Sequence, residues 1–180
     1  MKNTNYFSVK QEEAIFQWKA TLVITVCTLL LPFIFHLFPP IYDTPVGALF
    51  LPIFYAPFVA LIFYRTHVGL LAGALAPLIN HLVTGQPVLH VASVLSFELV
   101  IFVLIAAFLL KTLNGFFVTA PLAYFLTKVV SSISLTLVDW VPYNLSGTDF
   151  FVNSISNGVG GIIILGIINY FAIKIKSKNK

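Results

Sequence analysis

From Val88 to Leu110 the sequence is almost wholly apolar and carries one charged residue, Glu98, and this run is long enough to cross a bilayer. A helix needs about 20 apolar residues to span the hydrocarbon core. Hydrophobic residues make up 59% of the chain and charged residues only 9%. A soluble domain would carry about a quarter charged residues, so too little polar surface is available here to face water. The sequence therefore predicts an all-α integral membrane protein.

Six spans are predicted, within a single domain that covers residues 1–180. They extend over about Ala14–Phe38, Val46–Tyr64, Val68–Val83, Val88–Leu110, Phe116–Val138 and Phe151–Ile173. Pro52, Pro57 and Pro77 interrupt the second and third spans. A helical bundle tolerates such prolines where neighbouring groups satisfy the carbonyls that they leave free. The expected fold is a bundle of six transmembrane helices.

The charged residues predict the orientation of this bundle. Nine of the ten Lys and Arg residues, including Arg65 and Lys111, map to the end that carries both termini, and the three aspartates map to the other end. The positive-inside rule makes the basic end cytoplasmic, which predicts a multi-pass protein of the cytoplasmic (inner) membrane with both termini inside the cell. The connections at the outer end are rich in Pro, Gly, Asn and aromatic residues, which favours ordered turns around a site that opens outward.

Two ionisable residues lie within predicted spans. At 1.5 Å per residue, Glu98 is on the order of 15 Å below the outer end of span four, and Lys128 lies at a similar depth in span five. Charged groups at such depth are costly, so they usually pair or face a cavity. Three interpretations remain open: a structural ion pair, a pocket in which each charge meets a group of a polar ligand, or a Lys128 amine that extends to an interface.

Further polar and aromatic residues cluster toward the predicted outer ends of the spans. Tyr124 lies one helical turn before Lys128 and is expected on the same face. Taken singly, most of these residues are typical of helix caps, and His81 in particular is typical of a hydrogen-bonded residue at a helix end. Taken together, a few convergent polar groups among apolar walls indicate a small-molecule pocket. The predicted lining residues beside Glu98 and Lys128 are Asn80, His81, Gln86, Tyr124, Trp140, Tyr143, Asn153 and Asn157.

Recognisable catalytic patterns are missing from the sequence. It contains no phosphate-binding Walker loop, no G-x-S-x-G and no H-E-x-x-H, so neither ATP hydrolysis nor another catalytic activity is expected of this chain. The four histidines lack a ligand-like spacing, so no metal and no cofactor are predicted. Membrane topology explains the net charge of +4, and nucleic acid is not expected as a partner.

Span one carries a stripe of three threonines, Thr21, Thr25 and Thr28, at helical spacing. Small residues on one face of a membrane helix let a second helix approach closely. Two interpretations follow. The stripe packs inside this bundle, or it is a docking face for a separate membrane subunit.

The region from Gly47 to Leu99 resembles a known family. "GALFLPIFYAPFVALIFYRTHVGLLAGALAPLINHLVTGQP", followed by "FEL", is similar to the substrate-binding S components of energy-coupling factor (ECF) vitamin transporters. In that family a glycine ladder leads into a proline-containing turn, then T-G-x-P, then an E-L pair. The corresponding residues here are Gly69, Gly73, Pro77, Asn80, Thr84, Gly85, Pro87, Glu98 and Leu99.

The resemblance implies a six-helix subunit that captures a water-soluble vitamin or vitamin precursor from the extracytoplasmic side. It also implies partners in the lipid bilayer and below it, namely a transmembrane coupling subunit and two cytoplasmic ATPases. Pantothenate, a pyrimidine precursor, a queuosine precursor and cobalamin are all compatible ligands. Two alternative functions remain open. The protein could be a scaffold of the cell-shape type, or an intramembrane enzyme with Glu98 as general base.

Overall fold

The computed structural model describes residues 3–42, 44–113, 116–137 and 146–178, and this part of the chain is helical throughout, with short turns between the helices. A 3-10 turn, Pro52–Phe54, lies between the second and third helices. The α-helices are α1 (Asn3–His36), α2 (Val46–Phe50), α3 (Tyr55–Phe63), α4 (Thr66–Thr84), α5 (Leu89–Thr112), α6 (Thr119–Leu137), α7 (Gly147–Asn157) and α8 (Val159–Lys178).

Five of these helices are long and apolar enough to cross a membrane. They are the segment Glu12–Phe35 of α1, together with α4, α5, α6 and α8. The predicted all-helical, multi-pass membrane protein is confirmed at this level. The predicted second span is not one continuous helix. Its first part, α2, ends at Phe50, and the apolar helical segment that follows, Pro52–Phe63, is too short to cross the membrane alone.

The break in the second predicted span follows from its prolines. Pro52 disfavours a right-handed helical conformation at the preceding residue, and Leu51 takes the left-handed one with φ 54°. The Tyr55 hydroxyl donates a hydrogen bond to the carbonyl oxygen of Phe50, which ends α2. Pro57 lies in the first turn of α3, where a missing N–H removes no intrahelical bond.

The sixth predicted span is also divided, at Gly158. This residue ends α7, and the membrane-crossing helix α8 begins at Val159 rather than near Phe151. A Cβ at Gly158 would lie 3.0 Å from the Tyr124 hydroxyl and 2.6 Å from the Ser154 carbonyl oxygen, so a larger residue would separate α7 from α6. The prediction of one continuous helix here was wrong, since apolar composition does not reveal a bend of this kind.

Close helix contacts form the core around α5. Gly73 of α4 packs on α5, and a Cβ added there would lie 3.0 Å from the Leu99 Cβ. The Phe54 ring packs edge to face against Phe102 at 5.0 Å and against Tyr124 at 5.2 Å between ring centroids. These contacts fix α4, α5 and α6 around the 3-10 turn, and the functional groups of α5 and α6 lie beside that turn.

The two ends of the bundle differ. We call the end where α3 and α8 finish the lysine end. There Lys176 of α8 donates a 2.7 Å hydrogen bond to the Ile62 carbonyl oxygen near the end of α3. Asn169 is fully buried and holds the start of α6: it accepts from the Ala120 N–H at 3.3 Å and donates to the Phe116 carbonyl at 3.0 Å. The opposite end contains a cavity.

Candidate functional site

A cavity of about 700 Å³ opens at the end of the bundle where α1 and α4 finish and α5 and α7 begin. Small-molecule sites usually have volumes of about 300–1,000 Å³. Its walls are largely apolar, with contributions from Pro32 and Phe33 of α1, Leu95 of α5 and residues 47, 48 and 51–54 of the broken second span. The polar or charged residues on the wall are Thr28, Asn80, Thr84, Gln86, Glu98, Tyr124, Lys128, Asn153, Ser154 and Asn157.

Glu98 and Lys128 form an ion pair on this wall. The Lys128 Nζ donates to the Glu98 Oε1 at 2.6 Å, and the two residues are 6% and 1% exposed. The sequence left an ion pair and a ligand pocket as alternatives; the structure shows the ion pair, and the binding of a ligand beside it stays a prediction. The pair links α5 to α6, and both of its members also face the cavity. A Lys128 amine extended to an interface is wrong, because the amine is buried against the carboxylate.

Aromatic rings enclose the ammonium group. The Lys128 Nζ lies 5.0 Å from the centroid of the Phe150 ring and 5.5 Å from that of Tyr124. A cation within about 6 Å of an aromatic face is attracted by the quadrupole of the ring. Phe150 therefore belongs to the site, although the sequence analysis did not select it. Phe150 lies one residue before the last predicted span, and nothing in the local sequence distinguished it.

Tyr124 has both of the features that the sequence predicted. It lies one turn before Lys128 on α6 and contributes to the cavity wall. Its hydroxyl donates to the Ser154 carbonyl oxygen at 3.1 Å and so ties α6 to α7. The side chain is 1% exposed and also contacts Phe54. Tyr124 is thus mainly a rigid support for the wall, with its ring beside the ammonium group.

Amide side chains approach the cavity from two helix ends. Asn153 and Asn157 lie one turn apart on α7 and are exposed, while Asn80 is half-buried near the end of α4. Gln86 follows in the α4–α5 turn, where its backbone N–H donates to the Thr84 Oγ1 at 3.1 Å. These groups offer both donors and acceptors to a ligand. All four were predicted from the sequence.

Three other residues were predicted to line or cap the pocket, and the structure describes one of them, His81. His81 is not on the cavity wall: its Nδ1 lies 2.9 Å from the Pro87 carbonyl oxygen, where it donates and holds the α4–α5 turn. His81 is therefore a hydrogen-bonded residue at a helix end, because its ring nitrogen is paired with a backbone carbonyl oxygen. Trp140 and Tyr143 lie outside the residues that the structure describes.

The threonine stripe of α1 faces the inside of the bundle. Thr21, Thr25 and Thr28 are at most 7% exposed, and each hydroxyl donates to the backbone carbonyl four residues earlier. Neighbouring residues of the same helix, Ala20 and Ile24, pack in a cluster with residues of α3 and α4. The expected docking face is corrected accordingly: the protein's own helices cover these threonines, and Thr28 contributes to the cavity wall instead.

One group of residues that the sequence analysis missed belongs to the broken segment, residues 46–63. Gly47, Ala48, Leu51, Pro52, Ile53 and Phe54 all line the cavity. The prolines marked this stretch as irregular, but a kinked helix and an interrupted helix look the same in the sequence.

Comparisons with protein-family models, with curated proteins and with solved structures find no match to this chain.

Proposed function

We propose that this protein captures a small, water-soluble molecule, of the size of a vitamin or vitamin precursor, in the cavity between α1, α4, α5, α6 and α7. The observation that carries the proposal is a buried ion pair on the wall of an accessible, mostly apolar cavity. A pair that served stability alone would need no hollow beside it. Intramembrane charges that face a cavity are typical of ligand pathways.

The wall chemistry limits the ligand. Glu98 and Lys128 neutralise each other, so a ligand with a net charge would bring an uncompensated charge into a region of low dielectric constant. In the part of the chain that the structure describes, Glu98 accepts a hydrogen bond only through Oε1. We therefore propose a neutral or zwitterionic ligand with amide-like donors and acceptors, whose apolar or aromatic part contacts Phe33, Phe54 and Phe150.

The proposed orientation places the lysine end in the cytoplasm and the cavity toward the extracytoplasmic side, in accordance with the positive-inside rule. In this orientation the broken unit of α2, the 3-10 turn and α3 is the sixth membrane-embedded element beside the five long helices. A ligand then enters from outside, between the α4–α5 turn and α7. Both termini lie in the cytoplasm.

Uptake against a gradient needs an energy source, and the sequence contains no ATP-binding motif. The similarity of residues 47–99 to ECF S components suggests that source. We propose that a transmembrane coupling subunit and two cytoplasmic ATPases associate with this bundle and drive release of the ligand to the inside. The buried threonines of α1 are not part of the proposed docking surface.

A thermal-shift screen of the purified protein against vitamins and their precursors tests ligand capture. We expect one neutral or zwitterionic compound to raise the unfolding temperature in a concentration-dependent manner. Asn157→Leu should weaken its binding about tenfold, since one wall amide is lost. The matched control is Ser156→Ala, a change of an exposed residue on α7 that does not line the cavity.

Two outcomes would refute the proposal. One is that no compound of the panel stabilises the protein. The other is that uptake by cells is unchanged in the variant in which Glu98→Gln and Lys128→Gln are combined. Co-purification separates the partners: ATPase subunits support the transporter assembly, whereas recovery of cell-wall synthesis proteins alone would favour a scaffold.

A further inference from the structure

A second pocket, of about 380 Å³, lies at the lysine end between α1 and α4. Its polar wall is formed by Glu13 and Gln17 of α1 and by Arg65 and His67 at the start of α4. This is the level at which both membrane-crossing segments begin, near Glu12 and Thr66. Trp18 borders the pocket and is 68% exposed, as expected for an aromatic residue at a membrane–water interface.

The charges of this pocket are only loosely paired. Arg65 Nη2 and Glu13 Oε2 are 3.5 Å apart, and their side chains are 58% and 60% exposed. A tight guanidinium–carboxylate hydrogen bond would measure about 2.7–2.9 Å. The guanidinium therefore retains donors for an anion, and the carboxylate retains acceptors for a cation.

Gln17 carries a polar atom that needs a hydrogen-bond donor. Its Oε1 atom is buried and has no hydrogen-bond partner among the residues that the structure describes. A buried amide oxygen without a donor is unusual in a folded protein. Gln17 lies four residues after Glu13, so the two acceptors project from the same face of α1. Gln17 as a whole is half-buried, so a rotation of its amide would present Oε1 to the pocket, where a group with several N–H donors would satisfy it and the Glu13 carboxylate at once.

We propose that this pocket binds the headgroup of a membrane lipid that carries a primary ammonium group and a phosphate, as phosphatidylethanolamine does. The ammonium donates to Gln17 Oε1 and to the Glu13 carboxylate, and the phosphate accepts from Arg65. The acyl chains lie along the exposed apolar face of α1, where Trp18 and Leu22 are each 68% exposed. This site is separate from the cavity, and its existence does not depend on the proposed transport function.

Lipids with matched acyl chains test the proposal. Binding to the purified protein is measured by native mass spectrometry and by thermal shift with phosphatidylethanolamine, phosphatidylcholine and phosphatidylglycerol. The choline headgroup has no N–H donor, and the glycerol headgroup has no ammonium group. We expect phosphatidylethanolamine to bind about fivefold more tightly than either, the factor that one net hydrogen bond provides.

Two variants and one control assign the effect to the pocket. Gln17→Met should reduce the preference for phosphatidylethanolamine to less than about twofold, whereas Arg65→Gln removes a partner of the phosphate that all three lipids share and should weaken the binding of all three about fivefold. Lys111→Gln removes one positive charge at the same end but outside the pocket, and should leave the preference unchanged. Equal binding of the three lipids to the unmodified protein overturns the proposal. So does a soluble glycerophosphoethanolamine that binds as tightly as the lipid, since the site would then recognise a free phosphate ester.

Discussion

The cavity end and the lysine end use the same kinds of polar residue for different purposes. At the lysine end, Asn169 is fully buried and its amide joins two backbone groups of another segment. At the cavity end, Asn153 and Asn157 are exposed on the wall of the hollow. The comparison teaches that a polar residue in this bundle stabilises the fold where helices meet closely. Where the helices end early, the same residue lines an open hollow.

Broken helices account for the difference. Helices α4, α5 and α8 reach the lysine end without interruption, whereas two short helices, α2 and α7, lie at the cavity end. Gly161 permits α2 to pack on α8, since a Cβ there would lie 2.6 Å from the Phe50 carbonyl oxygen. The ion pair is located at the boundary between the two regions.

The largest expected effect follows from removing one partner of that ion pair. Lys128→Met should lower the free energy of unfolding by about 3–5 kcal/mol, because Glu98 is left buried and uncompensated. Thermal unfolding in detergent measures the change. Combining Lys128→Met with Glu98→Gln should recover much of the loss. Lys111→Met, a change of an exposed lysine, is the control and should alter stability by less than about 0.5 kcal/mol. Equal effects of the two lysine changes would show that the pair is not buried.

A matched pair of asparagine changes tests the two ends directly. Asn169→Leu should destabilise the protein by about 2 kcal/mol, because the Ala120 N–H and the Phe116 carbonyl lose their partner. Asn157→Leu should leave stability within about 0.5 kcal/mol and alter ligand binding instead. Chemical unfolding followed by circular dichroism measures both. A reversed order of the two effects would contradict the division into a stabilising end and a binding end.

A smaller effect is expected at the contact between α4 and α5. Gly73→Ala should cost about 1 kcal/mol, because the new methyl group would crowd the Leu99 side chain. Gly166→Ala provides the control, since its Cβ would have Pro121 at 3.5 Å as its nearest neighbour, an ordinary contact. The control should be neutral or slightly stabilising, as the alanine lowers the entropy of the unfolded chain. Equal unfolding temperatures for the two variants would mean that α4 and α5 separate easily.

The smallest effect is expected for the exposed charges of the lysine end. A double-mutant cycle of Glu13→Gln and Arg65→Gln should give a coupling energy of about 0.2–1 kcal/mol that decreases with added salt. This value should be well below the coupling of Glu98 with Lys128, measured in the same way. Similar coupling energies for the two pairs would remove the contrast between a buried and an exposed ion pair.

The sequence by itself determined the class of the protein and much of its candidate site. Apolar runs of sufficient length require membrane helices, since backbone groups in lipid must be paired within the chain. Charged residues inside such runs must be paired or face a cavity, which is why Glu98 and Lys128 could be selected, with Tyr124 and the four amides, from spacing alone. These inferences depend on local composition and helical period.

Only the tertiary structure decided where helices break and what each face meets. The second predicted span breaks at Leu51, beside Pro52, where the Tyr55 hydroxyl donates to the Phe50 carbonyl oxygen, and the sixth breaks at Gly158, where the Tyr124 hydroxyl of α6 leaves no room for a larger side chain. The threonine stripe, the role of His81 and the inclusion of Phe150 depend in the same way on neighbours from other helices. The helical period of the sequence shows which residues share one face of a helix and whether that face is polar. The packing of the bundle decides whether that face meets another helix, a cavity or lipid.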